Sequence, residues 1–531
     1  MHGDLHAREQ GGPAITRPEV GAGREGNASG GKPLMHDRGK SDGRVVPAKP
    51  PNKVALAAAE VVEGRRPAKG NAARETRPGH RAGVSVSSDL DRVRQVARKD
   101  NDVRFTALLH HVDVDRLRAA YWALRPKAAP GVDGVTWRDY GQDLEDNLRD
   151  LHAQVHRGSY RARPSRRAYI PKAGGRRRPL GVASLEDKIV QRAVVEVLNA
   201  IYECDFLGFS YGFRPGRSQH HALDALAVGI EKRSVSWILD ADIRDYFSSL
   251  DHSWLERFLE HRIADRRVLR LIQKWLKAGV IEDGKWSKTV EGTPQGASAS
   301  TLLANVYLHY VFDLWVHQWR GRHARGEVTV VRFADDAVVG FEHRGDAERF
   351  LSDLRERFAQ FGLGLHDEKT RLIEFGRYAA RNREARGLSK PESFDFLGFT
   401  HACGKTKTNG WFALKRVTSK KRLRAKLGEV KTELRRRQHD PVPEQGQWLA
   451  SVVRGHCAYY AVPGNIDAVA AFHNQAVRHW RRALRRRSQR TRLTWERMKR
   501  LDRRWLPTDR ILHPWPDVRF DARTRGRSPV R

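Results

Sequence analysis

The hydrophobic pattern divides the chain into a polar leader, a mixed central part and a basic helical end. Residues 1–85 are rich in Gly, Pro, Ala and Arg and almost without aromatic residues, so they cannot build a core, and we expect a disordered basic leader. From about Ser88 to residue 400, short β-branched runs alternate with amphipathic stretches. This alternation predicts an α+β fold.

Several runs in the central part predict individual elements. Arg167–Pro171 is a predicted strand, and a glycine turn with three arginines joins it to a second strand. A helix is expected from about Leu185 to Tyr202. Ser236–Ile243 is another predicted strand, with Trp237 and Leu239 buried.

The stretch VTVVRFADDAVVGF predicts a hairpin with two adjacent carboxylates at its tip. Residues 328–333 and 337–341 are the expected strands, joined by Ala334, Asp335 and Asp336. Aspartate is common in turns, but the Asn-Gly or Asp-Gly pair of a tight hairpin is absent. For the dipeptide taken alone, a solvated acidic turn is the alternative to a functional site.

A third carboxylate is expected beside this tip. Successive strand residues face opposite sides, so Asp240 and Asp242 share one face of the strand 236–243. A strand end and a hairpin tip that together carry several carboxylates concentrate negative charge. Mg²⁺ relieves such charge, and two ions about 3.5–4 Å apart can clamp both oxygens of a phosphoryl transfer.

The sequence changes character from Lys415. The segment KRVTSKKRLRAKLGEVKTELRRR contains 11 Lys and Arg residues among 23, with one apolar face formed by Leu423, Leu427, Val430 and Leu434. Trp480, Trp495 and Trp505 lie among further arginines. They could stack on unpaired RNA bases, but we expect at least two of them to lie in the core.

Composition narrows the class of partner. The chain has 531 residues with 99 Lys and Arg against 63 Asp and Glu, a formal charge of +36, which indicates a polyanion and above all nucleic acid. An arginine-rich composition without function is the alternative. No run approaches ~18 apolar residues and no signal peptide is present, so we expect no membrane span and no secretion. The three cysteines form neither a metal-ligand pair nor a disulfide framework.

The motifs of the central part resemble those of reverse transcriptases, and among them the bacterial group II intron-encoded reverse transcriptase/maturases. In chain order over residues 130–400 they are PGVDGVT, YIPKAGGRRRPLGVASLEDKIVQ, DADIRDYF, GTPQGASASTLLANVYLH, FADD, LGLHDEKT and FDFLGF. The basic segment from about 418 to 500, with GHCAYY inside it, resembles the thumb/maturase domain. Because no paired cysteines follow, we expect no zinc-bearing HNH endonuclease domain.

The resemblance implies a right-hand polymerase fold and a set of roles. The domains expected are the leader 1–85, fingers and palm with an antiparallel sheet over 86–400, an all-α thumb/maturase domain over 415–505 and a basic tail over 506–531. The implied ligands of two Mg²⁺ ions are the catalytic Asp242, Asp335 and Asp336, helped by the carbonyl of Ile243, with Asp336 contributing less directly. Asp240 is expected to support the fold or these ligands.

Further residues match positions that bind nucleotide, primer or template in that family. Lys172 and Arg178 flank the glycine turn and would hold the triphosphate, while Arg176 and Arg177 would substitute for them or contact template phosphate. Gln295 matches a residue near nucleotide and template. Phe247 would exclude a 2′-hydroxyl from the nucleotide sugar, with core packing as the alternative. Lys369 matches a residue near the primer end, with an ordinary surface lysine as the alternative.

The function implied is Mg²⁺-dependent, RNA-directed DNA synthesis combined with maturase binding of the intron RNA for splicing and retrohoming. The implied partners are an intron RNA template, a DNA primer or target and dNTPs, with no membrane, and a homodimer is left open. The implied location is the bacterial cytoplasm, at the nucleoid. The alternatives are a splicing-only maturase and a domesticated reverse transcriptase of the retron, diversity-generating or defence-associated kind.

Overall fold

The computed structural model describes residues 85–171, 177–282, 285–287, 291–293, 298–406, 408–487 and 493–524. The expected disordered leader therefore lies outside the described residues. All described residues fall within a single unit of the chain, Val45–Arg531. Helices and strands alternate up to Thr418 and helices alone follow, so the predicted mixture of helix and sheet is confirmed.

The elements are numbered here in chain order. The helices α1–α17 are Ser85–Lys99, Val114–Trp122, Trp137–Tyr140, Leu144–Arg157, Leu185–Asp205, Gln219–Lys232, His252–Glu260, Arg266–Lys277, Ser298–Leu308, Leu314–Arg322, Arg344–Ala359, Ala379–Ala385, Lys420–Arg436, Val442–Tyr460, Ile466–Arg485, Trp495–Trp505 and Pro516–Thr524. The strands β1–β11 are Ser165–Pro171, Arg177–Val182, Trp237–Asp242, Val280–Glu282, Lys285–Ser287, Val328–Phe333, Asp336–Phe341, Arg371–Glu374, Phe394–Phe396, Phe399–Lys405 and Phe412–Thr418.

Helix α5 is largely buried within the main hydrophobic core. It begins after Ser184, whose hydroxyl accepts a hydrogen bond from the backbone N–H of Asp187 and so satisfies a helix-end donor. Thirteen of its 21 residues are buried, which is the pattern of a helix packed on all sides rather than along one stripe. The expected helix from Leu185 to Tyr202 is therefore present and extends to Asp205.

The first sheet has the order β2-β1-β4-β5. β1 and β2 form an antiparallel hairpin, while β1 and β4 are parallel, with Ser165 opposite Val280. The strand predicted over Arg167–Pro171 is thus present two residues longer at its start.

The second sheet, β6-β7-β3-β8, is antiparallel throughout. Its strands are rich in Val, Ile and Phe because both of its faces are covered, and Leu239, Val330 and Val339 belong to the main core. Trp237, expected to be buried, is only partly buried. The hairpin turn is shorter than predicted, since Asp336 is the first residue of β7 rather than part of the loop.

The third sheet, β11-β10-β9, leads into the basic helices α13–α16, which have a core of their own. Val430 and Leu434 are buried in it, and Leu423 and Leu427 pack against it, as the helical spacing predicts. Trp480 is fully buried and Trp505 packs against the same core, whereas Trp495 is 45 % exposed. Two of the three tryptophans are therefore structural, as expected.

The C-terminal segment 506–531, described from the sequence as a basic tail, contains helix α17. Arg519 of this helix and Arg416 of β11 both form ion pairs with Asp224 of α6, at 2.7 Å and 3.2 Å. None of the described helices has the length and apolarity needed to cross a membrane. The boundaries near residues 85 and 400–415 remain predictions.

Candidate active site

The register of the second sheet places Asp242 directly opposite Asp336. The two residues are partners in the antiparallel pair of β3 and β7, and Phe333 is the partner of Asp336 across the β6–β7 hairpin. The carbonyl of Asp242 accepts a hydrogen bond from the N–H of His366, on the side away from β7. Asp242 and Asp336 therefore form a non-hydrogen-bonded pair, the type in which Cα atoms lie about 4.5 Å apart and side chains are closest.

The same alternation directs the carbonyl of Ile243. Ile243 is bridged to Leu365, and the bonds of that bridge use Asp242 and Arg244, the residues on either side of Ile243. Consecutive strand carbonyls point to opposite edges. The Ile243 carbonyl is consequently directed to the edge where the hairpin tip lies, and its role as a metal ligand remains a prediction.

The hairpin tip has a strained backbone. Ala334, the first residue of the two-residue turn, has φ of 58°, a left-handed value that residues with a Cβ seldom adopt. Two-residue hairpins favour such values because they match the twist of the strands. A Cβ on Gly212 would lie 2.2 Å from the backbone N of Ala334, so glycine at position 212 leaves the turn its space.

A buried arginine forms a hydrogen bond with the backbone of this turn. Arg332 is 1 % exposed, and its Nε and Nη2 donate to the two carboxylate oxygens of Asp313 at 2.7 Å and 2.6 Å. Its Nη1 donates to the carbonyl of Ala334 at 2.9 Å and to Asn305 at 3.1 Å. Asp313 ends a π-helical turn, His309–Asp313, a distortion that often occurs near functional sites. The tip is thus fixed by a satisfied buried ion pair.

Neighbouring carboxylates disfavour the ionisation of Asp336 and Asp240. Asp336 is exposed, yet desolvation by its surroundings raises its pKa to about 7, and the charges of Asp335 and Asp242 contribute to the rise. Burial likewise raises the pKa of Asp240 to about 6, opposed by Arg371, whose guanidinium lies 3.8 Å away. The site therefore has an excess of negative charge that a cation would relieve.

Lys369 supplies a cation to one member of the cluster. Its Nζ lies 2.5 Å from Oδ2 of Asp242. Lys369 is the residue that the sequence predicts to lie near the primer end. Among the described residues, no three His, Cys, Asp or Glu side chains converge as metal ligands. The donor set still fits Mg²⁺, because it offers carboxylate oxygens and a backbone carbonyl and already attracts an ammonium group.

Two aromatic rings lie near the β6–β7 hairpin, since Phe213 contacts both Phe247 and Phe333 of β6. Phe247 is 7 % exposed and belongs to the main core, so the core-packing alternative describes most of its surface, and its role at the sugar remains a prediction. Its ring makes an edge contact with Phe213, at 6.5 Å between centroids. Phe213 is 53 % exposed and has φ of 59°. A strained, exposed aromatic residue beside a carboxylate cluster indicates a functional constraint.

Of the other predicted site residues, two have a described backbone and three lie outside the described residues. Arg177 and Arg178 begin β2, opposite Pro171 and Ile170, and their backbone positions alone are described. Lys172, Arg176 and Gln295 lie outside the described residues. Their proposed contacts with nucleotide and template remain predictions.

Three residues of the site escaped the sequence reasoning. Arg332 carried a signal, since it is the one charged residue in the apolar strand VTVVRF. Phe213 gave none, because its backbone conformation depends on its neighbours. Arg422 of α13 lies close enough for its charge to counter the raised pKa of Asp336, which links the basic helices to the site. Spacing along the chain cannot reveal that approach.

The central part of the chain is similar to known proteins. Residues 170–401 match the family described as reverse transcriptase (RNA-dependent DNA polymerase). Protein YkfC of Escherichia coli is 38 % identical over 233 residues, which cover 40 % of this chain and 61 % of that protein. Group II intron-encoded protein LtrA of Lactococcus lactis is 35 % identical over 222 residues, or 41 % of this chain and 37 % of LtrA.

A similar match comes from a 91 kDa protein encoded in the cob intron of Schizosaccharomyces pombe, 42 % identical over 146 residues, 28 % of this chain and 18 % of that protein. The chain therefore spans less than two thirds of the length of each of these relatives. The matched region contains β3, the β6–β7 hairpin and the four carboxylates. Residues 170–401 thus match the reverse transcriptase family, and the chain is similar to proteins encoded in group II introns.

Proposed function

We propose that the protein is an RNA-directed DNA polymerase. A primer 3′-hydroxyl attacks the α-phosphate of a dNTP, the new phosphodiester bond forms and pyrophosphate leaves. The proposal rests on the strand register that places Asp242 opposite Asp336. Both residues lie beside a hairpin turn whose backbone is hydrogen-bonded by the buried Arg332. On this proposal the second sheet is the palm, the first sheet belongs to the fingers, and α13–α16 form the thumb.

Asp242, Asp335 and the Ile243 carbonyl would hold two Mg²⁺ ions, and Asp336 would stabilise them with its charge. Bound Mg²⁺ supplies neutralisation of the phosphoryl oxygens as charge develops on them. Asp240, paired with Arg371, keeps the strand end in place. Phe213 and Phe247 form an apolar wall beside the carboxylates, where the sugar of an incoming nucleotide would pack.

Synthesis on poly(rA)/oligo(dT) with labelled dTTP tests this proposal. The wild type should incorporate label in the presence of Mg²⁺, and Asp335→Asn should abolish incorporation while keeping shape and size. Asp146→Asn is the matched control, because Asp146 of α4 is 84 % exposed and pairs only with Arg149 among the described residues. Incorporation by Asp335→Asn at the wild-type rate would refute the assignment.

A second function, binding of the intron RNA as a splicing maturase, is favoured by the surface of α13. Its apolar residues face the helical core, and its remaining surface carries exposed cations. Lys426 and Arg436 pair with glutamates of the same helix. Within the described residues, five further exposed cations of this helix form no ion pair: Lys420, Lys421, Arg424, Lys431 and Arg435. Such a surface suits phosphate contacts.

Splicing at near-physiological salt with and without protein tests the maturase role. The protein should accelerate splicing of its RNA, and Asp335→Asn should retain that acceleration while losing synthesis. Lys421→Gln combined with Arg424→Gln should reduce acceleration and leave synthesis on a short homopolymer intact. A splicing rate that protein does not change would exclude this second function.

A further inference from the structure

A basic groove lies between helix α8 and the segment that leads into β1. Its volume is about 470 Å³. Four cations line it, Arg161, Arg270, Lys274 and Lys277, and no carboxylate does. The groove is at the Ser165 end of β1, where that strand meets Val280. Pro171, at the other end of β1, is about 20 Å away by the rise of a strand. The groove is therefore separate from that end of the strand, after which the predicted triphosphate-binding residues follow in the sequence.

The helix itself aligns these cations. Val268, Leu271, Ile272, Trp275 and Leu276 bury one face of α8 in the core. Arg270, Lys274 and Lys277 are spaced four and three residues apart, so they form a row on the other face that extends for about 10 Å. The row is thus a consequence of how the helix packs.

The positive charge of the groove is not neutralised by the protein. Arg161, Arg270 and Lys277 are exposed, and within the described residues none of them forms an ion pair. Lys274 donates to the carbonyls of Gly158 and Tyr160, at 3.0 Å and 2.5 Å, which fixes it in the wall. Desolvation lowers the pKa of Lys274, and the charges of Arg270 and Arg161 lower it further. These cations repel one another, so an anion between them would be stabilised.

Helix α11 shows the contrasting arrangement. There Arg344 pairs with Glu348 at 2.8 Å and Arg349 pairs with Asp353 at 3.7 Å, each four residues along the same helix. Those arginines are exposed and neutralised locally. A net positive groove is therefore a property of α8 and not of every arginine-rich helix in the chain.

An aromatic ring stands at the Lys277 end of the groove. Trp286 of β5 is 56 % exposed, and its Nε1 donates to the carbonyl of Ala278 at 3.2 Å. Gly279 has φ of 80°, and a Cβ there would lie 2.5 Å from that Nε1. The indole is thus anchored against the backbone while much of its surface stays open. An open ring beside a row of cations is the arrangement used to bind single strands.

We propose that this groove binds single-stranded RNA, with phosphates on Arg161, Arg270 and Lys277 and one base stacked on Trp286. The proposal deepens the proposed function and rests on it for the choice of RNA over another polyanion. The strand is either the unpaired template ahead of synthesis or a segment of other RNA. Both offer the same phosphodiester chemistry, and substrate design separates them.

Fluorescence anisotropy with an unstructured 30-nucleotide RNA, over a series of salt concentrations, tests the phosphate contacts. Arg270→Gln combined with Lys277→Gln should weaken binding roughly tenfold and reduce the slope of log K against log salt by about 1.4, since each phosphate contact on a single strand contributes about 0.7. Arg344→Gln combined with Arg349→Gln is the control and should stay within about twofold of wild type. A groove variant that binds like this control overturns the proposal.

The stacking contact has its own measurement. Trp286→Ala should weaken binding about fivefold or more without changing the salt slope, because stacking contributes about 1–3 kcal/mol per base and carries no charge. Trp122→Ala, which removes a ring that is 60 % exposed elsewhere, is the control. Unchanged affinity in Trp286→Ala removes the base contact from the proposal.

Primer–template duplexes with template overhangs of 5 and 25 nucleotides identify the source of the strand. If the groove holds template, the Arg270/Lys277 variant loses affinity for the long overhang alone. If it holds other RNA, both duplexes bind normally and the free RNA still binds more weakly. A wild type that binds RNA through the groove but makes no DNA would reject the proposed function and leave the groove intact.

Discussion

At the scale of single residues, the site is characterised by contacts between its carboxylates and basic side chains of the same protein, beginning with the ion pair of Asp242. Lys369 lies on one carboxylate oxygen, Arg371 faces Asp240, and Arg422 counters the raised pKa of Asp336. Three of the four carboxylates are thus affected by basic residues, two of them from the segment 369–371 and one from α13. Below them, Arg332 and Asp313 are both almost completely buried. The ion pairs of the carboxylate cluster and the buried Arg332–Asp313 pair have different roles. The next two predictions test these roles separately.

Lys369→Gln should raise the affinity of the protein for Mn²⁺, used as a spectroscopic substitute for Mg²⁺. The ammonium group competes for Asp242, and an exposed ion pair contributes about 0.5–1 kcal/mol, so we expect a two- to fivefold tighter Kd. Electron paramagnetic resonance of free Mn²⁺, without nucleotide, measures it. Lys426→Gln, which breaks an ion pair within α13, is the control. Equal affinity in Lys369→Gln and wild type would contradict this role.

Arg332→Leu should destabilise the protein by about 3–5 kcal/mol, because it removes the guanidinium that donates to both oxygens of the buried Asp313 carboxylate. Urea denaturation measures the free energy of unfolding. Arg332→Met with Asp313→Leu should recover most of that loss, since neither charge then remains. An additive double variant, with no recovery, would show that the two side chains do not act as a pair.

At the scale of elements, the β6–β7 hairpin shows how much depends on a neighbouring segment. The sequence located the two strands within one residue of their observed ends and expected a three-residue tip. The structure has a two-residue turn with Ala334 in a left-handed conformation. Gly212, more than a hundred residues earlier in the chain, provides the space for it. The position of Asp335 relative to Asp242 is consequently set by packing between distant segments.

Gly212→Ala should displace the hairpin tip and lower DNA synthesis at least tenfold. The added Cβ meets the backbone of Ala334, which cannot rotate away as a side chain would, and overpacking of this kind costs about 1–3 kcal/mol. Primer extension and thermal denaturation measure the two effects. Gly428→Ala is the control, because nothing lies within 4 Å of its Cβ position in α13 and the change should stabilise the helix. Wild-type synthesis by Gly212→Ala would contradict the role assigned to this contact.

At the scale of the whole molecule, buried polar contacts join parts that are distant in sequence. Asp224 joins α6, β11 and α17 through Arg416 and Arg519. In the helical end, His473 of α15 contacts Asp502 of α16 at 2.8 Å and Asp509 beyond it at 2.9 Å. The histidine also makes the stability of this region depend on pH.

His473 should stabilise the fold more at low pH than at high pH. The hydrogen bond to Asp502 raises the pKa of His473, against desolvation, and Asp509 raises it further. A raised folded pKa means that the contribution is fully present below the unfolded value of about 6.5 and is lost as pH rises through the folded pKa. The difference in unfolding free energy between wild type and His473→Gln should therefore shrink from pH 6 to pH 9. A difference that stays constant across this range would contradict the prediction.

The mixture of helices and strands, the basic character of the helical end and the identity of the candidate carboxylates could be predicted from the sequence. These follow from local periodicity and from residue types such as Asp242 and Asp335 within apolar strands. The tertiary structure alone decided the register of Asp242 against Asp336, the partners of Arg332, the approach of Arg422 and the alignment of Arg161 with α8. Each of these depends on contacts between segments far apart in the chain, and no local pattern specifies which distant segments meet.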